Sequence, residues 1–194
     1  MNTKALALID KFYEQGALRD LLLTHSISVT RKALRIAYAH PELNIDVPFV
    51  EEAAMLHDIG IICCDAPGIG CHGTEPYIRH GVMGAIMLRA EGMPRHARVC
   101  ERHTGAGITV DNILRQHLPL AVPHDATADT GTQNAATEPY MPETIEEQLI
   151  CYADKFFSKS KPDREKTIEQ AAHSLAKFGK DGVKRFLAWT AMFE

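Results

Sequence analysis

His57 and Asp58 stand side by side just after the apolar run Ala53-Ala54-Met55-Leu56 and just before Gly60. An imidazole beside a carboxylate is a donor pair for a metal ion. Neighbouring side chains on a helix diverge by about 100°, so both can reach one ion only beyond a helix end or between two helices. Imidazole nitrogen with carboxylate oxygen suits Fe, Mn, Co, Ni or Zn, and the carboxylate also admits Mg. Taken alone, such a pair is more often a hydrogen-bonded couple at a helix end than a metal site. Its companions carry the case. His25 lies mid-helix among apolar neighbours, and Asp154 lies among Ile150, Ala153, Phe156 and Phe157. A buried carboxylate in such company is costly unless paired, and a cation resolves both placements.

The elements that must position these groups are helical. Apolar residues recur at helical spacing in block after block, and alternating β-branched runs are nearly absent. The pattern predicts helices over 3–15, 17–39, 80–91, 109–117, 143–158, 163–178 and 180–193. Two more start near Pro48 and at Pro94, the first of them stopping at Gly60. In the second block Leu18, Leu22, Val29, Ala33, Ile36 and Ala37 form the inner stripe. Residues 61–79, with Pro67, Gly68, Gly70, Gly73 and Pro76, read as an irregular loop. Residues 118–142 are rich in Pro, Ala, Thr, Asp and Gly without an apolar period, and read as a mobile surface loop. The expectation is an all-α fold, a single domain over 1–194 with seven to nine helices.

Composition narrows the class. With 45% apolar and 24% charged residues the chain is an ordinary globular protein rather than a disordered or fibrous one. A net charge of −4 gives no general attraction to nucleic acid or to an anionic membrane, so a phosphate-bearing ligand needs local cations. The apolar stretch near the start is broken by Asp10 and Lys11 and is too short to span a bilayer. Five cysteines, odd in number and without framework spacing, fit reduced thiols in the cytoplasm. Cys63, Cys64 and Cys71 lack a CxxC pair and read as small packing residues.

The order His25, then His57-Asp58 in HDIG, then Asp154 in ADK, each on its own helix, resembles the HD-domain metal-dependent phosphohydrolases over about residues 20–160. His80 in RHGVMGA and His103 in CERHTGAGIT fall between the HD pair and the closing aspartate. In this they resemble the binuclear branches, and the HTGAGIT segment is similar to a little-characterised bacterial and archaeal group. The resemblance implies two divalent transition-metal ions, one on His25, His57, Asp58 and Asp154, the other on Asp58, His80 and His103. It also implies water-driven cleavage of a phosphate ester, the partner being a small phosphorylated, nucleotide-like substrate. A membrane or nucleic-acid partner is not expected, and a homo-oligomer is left open. HDIG is followed by Ile61 rather than Lys, and the GYP element is missing, so cleavage of cyclic dinucleotides is disfavoured.

Phosphate would be met by cations beside the ligands. Lys155, next to Asp154 and covered by the resemblance, is the first choice as a catalytic and substrate-binding residue, with Arg102, Arg79 and, a turn beyond Lys155, Lys159 as further candidates. His72 and Asp65, on the glycine-containing loop after HDIG, are placed to touch substrate or move a proton. Two rivals use the same residues differently. One is a mixed-valence di-iron oxygenase of the HD type; the other is a nucleotide-binding sensor without catalysis.

Overall fold

The computed structural model describes residues 3–122, 139–176 and 179–194. Of the 118–142 loop, residues 123–138 lie outside the described residues, as do 177 and 178 at the end of the expected 163–178 helix. Among the described residues there are nine α-helices: α1 Thr3–Phe12, α2 Ala17–Ala39, α3 Val47–Leu56, α4 His80–Ala90, α5 Pro94–Arg102, α6 Val110–Gln116, α7 Ile145–Asp154, α8 Ile168–Ala176 and α9 Lys180–Phe193. The chain is thus largely helical, and the 61–79 loop corrects the all-α expectation. It carries a small sheet of β1 Cys64–Ala66, β2 Cys71–His72 and β3 Glu75–Pro76, in the order β2-β1-β3. β1 pairs antiparallel with β2 (Asp65 opposite His72) and parallel with β3 (Cys64 opposite Glu75). Strands of two or three residues are too short to leave a period in the sequence.

The apolar side chains gather into two large clusters. One joins Val29, Ala33 and Ile36 of α2 to Val50 and Ala53 of α3, Leu149 to Ala153 of α7, and Phe186, Trp189 and Phe193 of α9. The other joins Ala5 and Ile9 of α1 and Leu22 of α2 to Leu56, Ile59, Leu88 and Cys100. His25 stands between Leu22 of one cluster and Val29 of the other, so α2 threads the seam and carries its histidine there. Fully burying one such leucine is worth about 1.5–3 kcal/mol, and many of them together hold the polar seam closed.

Local chemistry fixes the ends that matter. Asp46 caps α3, its carboxylate accepting from the Phe49 amide, with Pro48 in the first turn. The helix ends at Leu56, earlier than the glycine implied, and the chain passes through His57 and Asp58 into a 3-10 turn over Ile59–Cys63. Tyr13, buried after α1, clamps that turn. Its hydroxyl donates to the Ile59 carbonyl (2.6 Å) and accepts from the Ile62 amide (3.2 Å). Gly60 is needed for close approach rather than for stopping a helix. A Cβ there would lie 2.2 Å from both the Gly84 nitrogen and the His80 carbonyl oxygen of α4. Gly81 makes the matching approach to α5, where an added Cβ would meet the Cys100 carbonyl at 2.4 Å.

α7 starts on a capping box, the Thr144 hydroxyl accepting from the Glu147 amide and the Glu147 carboxylate accepting in return. That buried carboxylate also receives Arg98 of α5 at 2.8 Å, locking α7 to α5 two turns before Asp154. α7 stops at Asp154 rather than at 158, and α8 starts after Thr167, which exchanges capping hydrogen bonds with Gln170. The described ends of the 118–142 loop are packed: Leu120 and Tyr140 are buried with Ile108 and Ile113, and the Tyr140 hydroxyl donates to the Ala121 carbonyl.

Candidate metal centre

The four helix ends and α2 converge on one polar cage. His25, His57, Asp58, His80, His103 and Asp154 are all buried, His57 and Asp58 completely. They fall into two sets whose candidate ligand atoms lie within 4.8 Å of one another, His25 with His57, Asp58 and Asp154, and Asp58 with His80 and His103. Asp58 belongs to both. Its Oδ2 lies 3.1 Å from His25 Nε2 and 3.3 Å from His57 Nε2, while its Oδ1 lies 3.4 Å from the Nε2 atoms of both His80 and His103. Asp154 Oδ1 closes the first set, 3.0 Å from His25 Nε2 and 3.5 Å from His57 Nε2.

The backbone selects the tautomer of three of the histidines. His57 Nδ1–H donates to the Ala54 carbonyl (2.7 Å), His80 to Tyr77 (2.7 Å) and His103 to Cys100 (2.6 Å), in each case three residues back at a helix or turn end. With a proton held on Nδ1, each Nε2 faces the cage, and in the neutral ring it presents its lone pair there, the tautomer a metal ligand needs. His80 and His103 Nε2 lie only 3.0 Å apart, so two lone pairs face each other. Only a shared proton or a cation makes that favourable. His57 Nε2, both nitrogens of His25 and both Asp58 oxygens make no hydrogen bond of proper geometry, which in a buried site is the mark of donors arranged for something other than hydrogen bonding. The donor set therefore fits divalent metal ions with mixed nitrogen and oxygen preference.

The charges respond to this crowding. Burial opposes ionisation of Asp58, but Lys159 and His57 outweigh it and hold the carboxyl well below its ordinary range. Asp154 is likewise held low against burial, chiefly by Lys155 and the neighbouring histidines. Burial also works against a charged His57, yet Asp58 and Asp154 raise it to about 9. His80 is pushed down to about 3 by burial, against the pull of Asp58, and His103 is lowered for the same reason. A consequence follows for metal uptake. Near pH 7.5 His57 carries a proton that ligation must expel, whereas His80 is already neutral. Metal binding should release about one proton per chain and tighten as pH rises toward about 9. Calorimetric Mn titrations in two buffers of different ionisation enthalpy read this directly, and identical heats in both would contradict it.

The cations singled out from the sequence are placed differently from the six cage residues. Lys155 Nζ lies 2.7 Å from Asp154 Oδ2 and donates to the His103 carbonyl at 3.0 Å, bracing a residue of each set. Arg79 pairs with Glu75 (2.5 Å) and Arg102 donates to the Met141 carbonyl (2.6 Å) and pairs with Glu143 (2.8 Å), so both are engaged in holding loops. His72 and Asp65 are exposed across from each other on β2 and β1. The residue that sequence reasoning left at the margin is Lys159. Its Nζ lies 2.6 Å from Asp58 Oδ2. A cleft of about 470 Å³ opens onto Asp154 and Lys159 and is lined further by Ala66, Gly68, Ile69, Tyr77, Phe157 and Ser158. A more enclosed cavity of about 90 Å³, under Ile78, Ile108 and Leu118, holds none of the six cage residues.

Among known proteins, the family model described as HD domain matches residues 22–158. An uncharacterized protein of Methanocaldococcus jannaschii is 30% identical over 161 residues, spanning 81% of this chain and 76% of that protein. Two archaeal proteins named tRNA (cytidine(56)-2'-O)-methyltransferase also match. That of Thermoplasma volcanium is 32% identical over 89% of this chain but only 44% of its own length, and that of Picrophilus torridus is 31% identical over 72% and 32%. The chain thus spans less than half the length of these two. The HD domain of the Listeria monocytogenes phosphodiesterase PgpH aligns over the full length of both chains at 13% identity and a TM-score of 0.49, a likeness too remote to bear on chemistry. The matched region runs from the turn of α2 before His25 to just beyond Asp154, and the chain belongs to the HD domain family.

Proposed function

We propose that the chain is a metal-dependent phosphohydrolase that cleaves a phosphate ester of a small, nucleotide-like molecule. One observation carries this reading. A single buried carboxylate, Asp58, turns one oxygen to His25 and His57 and the other to His80 and His103. That is the arrangement of a ligand shared between two cations. His25, His57, Asp58 and Asp154 would hold one ion, and Asp58, His80 and His103 the other. When bound, a pair of divalent ions supplies an activated water near neutral pH and charge neutralisation on a phosphoryl group. The chain's own residues aim the histidines, the carbonyls of Ala54, Tyr77 and Cys100 holding the Nδ1 side of His57, His80 and His103, and Lys155 ties Asp154 to the backbone of His103. The tyrosine and phenylalanine at the cleft give a ring-bearing substrate an apolar wall beside the site.

The two tRNA methyltransferases share this domain and extend well beyond it. Under this reading the methyl transfer in their names belongs to the remainder of those proteins. Five unpaired cysteines fit a cytoplasmic setting, and no described helix is long and apolar enough to cross a membrane. The test is a panel of phosphomonoesters, phosphodiesters and nucleotides, run after chelation and reloading with Mn, Fe, Co, Ni or Mg. Metal-dependent release of phosphate or of a phosphomonoester is expected. Oxygen consumption by the iron-loaded protein with no hydrolysis of any ester would instead establish the oxygenase reading.

A further inference from the structure

Lys159 is set apart from the other cations around the cage. It comes from the turn after α7, its side chain is 15% exposed, and it lines the cleft together with Ile69 and Tyr77. Its ammonium sits 2.6 Å from Asp58 Oδ2, the oxygen that also faces His25 and His57 at 3.1 and 3.3 Å. A cation held by His25, His57, Asp58 and Asp154 would draw on that same oxygen. Two positive charges on one buried oxygen repel strongly, because little water intervenes to screen them. The lysine and the ion therefore compete for Asp58. Lys155, Arg79 and Arg102 are fixed on other acceptors and cannot take over. Lys159, by contrast, has a flexible four-carbon stem and the open cleft beside it.

Resting on the phosphohydrolase reading, we propose that Lys159 is an exchangeable counter-ion of Asp58, displaced by the metal and then available in the cleft to bind the substrate's phosphoryl group. The residue would thereby make phosphate binding conditional on metal loading. It weakens the first metal and strengthens the anion that follows.

The experiment compares the wild-type chain with Lys159→Met, Lys159→Gln and Lys159→Arg, each stripped with chelator. Mn affinity is measured by calorimetry, and inorganic phosphate is then titrated into the Mn-loaded proteins. Both neutral variants should bind Mn more tightly, by about tenfold or more, since a competing charge has been removed. Both should bind phosphate about tenfold more weakly, while Lys159→Arg keeps phosphate binding. The two neutral substitutions differ in shape and polarity, so misfolding of one leaves the comparison standing. Unchanged or weaker Mn affinity in the folded neutral variants would overturn the displacement, and unchanged phosphate affinity would overturn the anchor. Either result would leave the metal centre intact. Absence of Mn binding in every protein, wild type included, would overturn the metal centre and this proposal together.

Discussion

Asp58→Asn is expected to lose both metal ions and to lower hydrolysis by more than about a thousandfold. Altering a group one step behind a metal ligand already costs about 10–100-fold in affinity or activity. Asp58 serves both donor sets, so its loss strikes twice. The amide is nearly isosteric and leaves the packing among Leu56, Ile59 and Cys100 in place, but it removes the charge that both cations need. It also turns an NH2 group toward one pair of imidazole lone pairs. Removing one carboxylate leaves Lys159 and the raised His57 without their main anionic partner, so some loss of stability should accompany the loss of metal. Circular dichroism separates the two effects: a folded variant without metal or activity is the expected result. Retained hydrolysis in the folded variant would remove Asp58 from the mechanism.

Gly60→Ala is the second large effect, and it acts through the backbone. The added methyl would lie 2.2 Å from two backbone atoms of α4 and 2.8 Å from the Gly84 Cα. Rotamer changes cannot relieve that, so α4 must move. Inserted volume in a packed core costs about 1–3 kcal/mol when side chains can yield, and this contact belongs at or above the top of that range. For a chain of this size about 3 kcal/mol lowers Tm by about 10 °C. His80 opens α4, so the displacement carries it away from His103 and Asp58 and weakens the second ion more than the first. Gly68→Ala, where an added Cβ meets nothing within 4 Å, is the control and should leave Tm unchanged. An unchanged Tm in Gly60→Ala would show that the 3-10 turn over Ile59–Cys63 and α4 are not held at the observed separation.

His25 and Asp154 were legible because their positions are expensive, the His57-Asp58 pair through its donor chemistry, and His80 and His103 through the family resemblance. A histidine or carboxylate inside a helical apolar stripe contradicts the pattern around it, and the contradiction is visible without coordinates. The companions of the cage residues were less legible. Arg79 and Arg102 adjoin His80 and His103 in sequence, but consecutive residues diverge by about 100° on a helix, and each is engaged away from the cage, on Glu75 or Glu143. Lys159 was hidden by a helix end. Had α7 run to 158, the five-residue offset from Asp154 would have turned Lys159 roughly 140° away from the cage. The helix instead stops at Asp154, and the following turn folds the lysine back. Gly60 read as a helix stop, although its role is steric and depends on α4, twenty residues later. The tautomers of His57, His80 and His103 rest on carbonyls three residues back, a local feature that becomes readable once the helix ends are known.

The claim that two ions share one carboxylate is tested most directly by elemental analysis of the wild-type chain and Asp58→Asn, purified without chelator and then reloaded in parallel. Close to two transition-metal ions per wild-type chain, with the folded Asp58→Asn variant retaining little of either, is the predicted result. No bound metal in the wild type, or equal metal content in the two proteins, would contradict it.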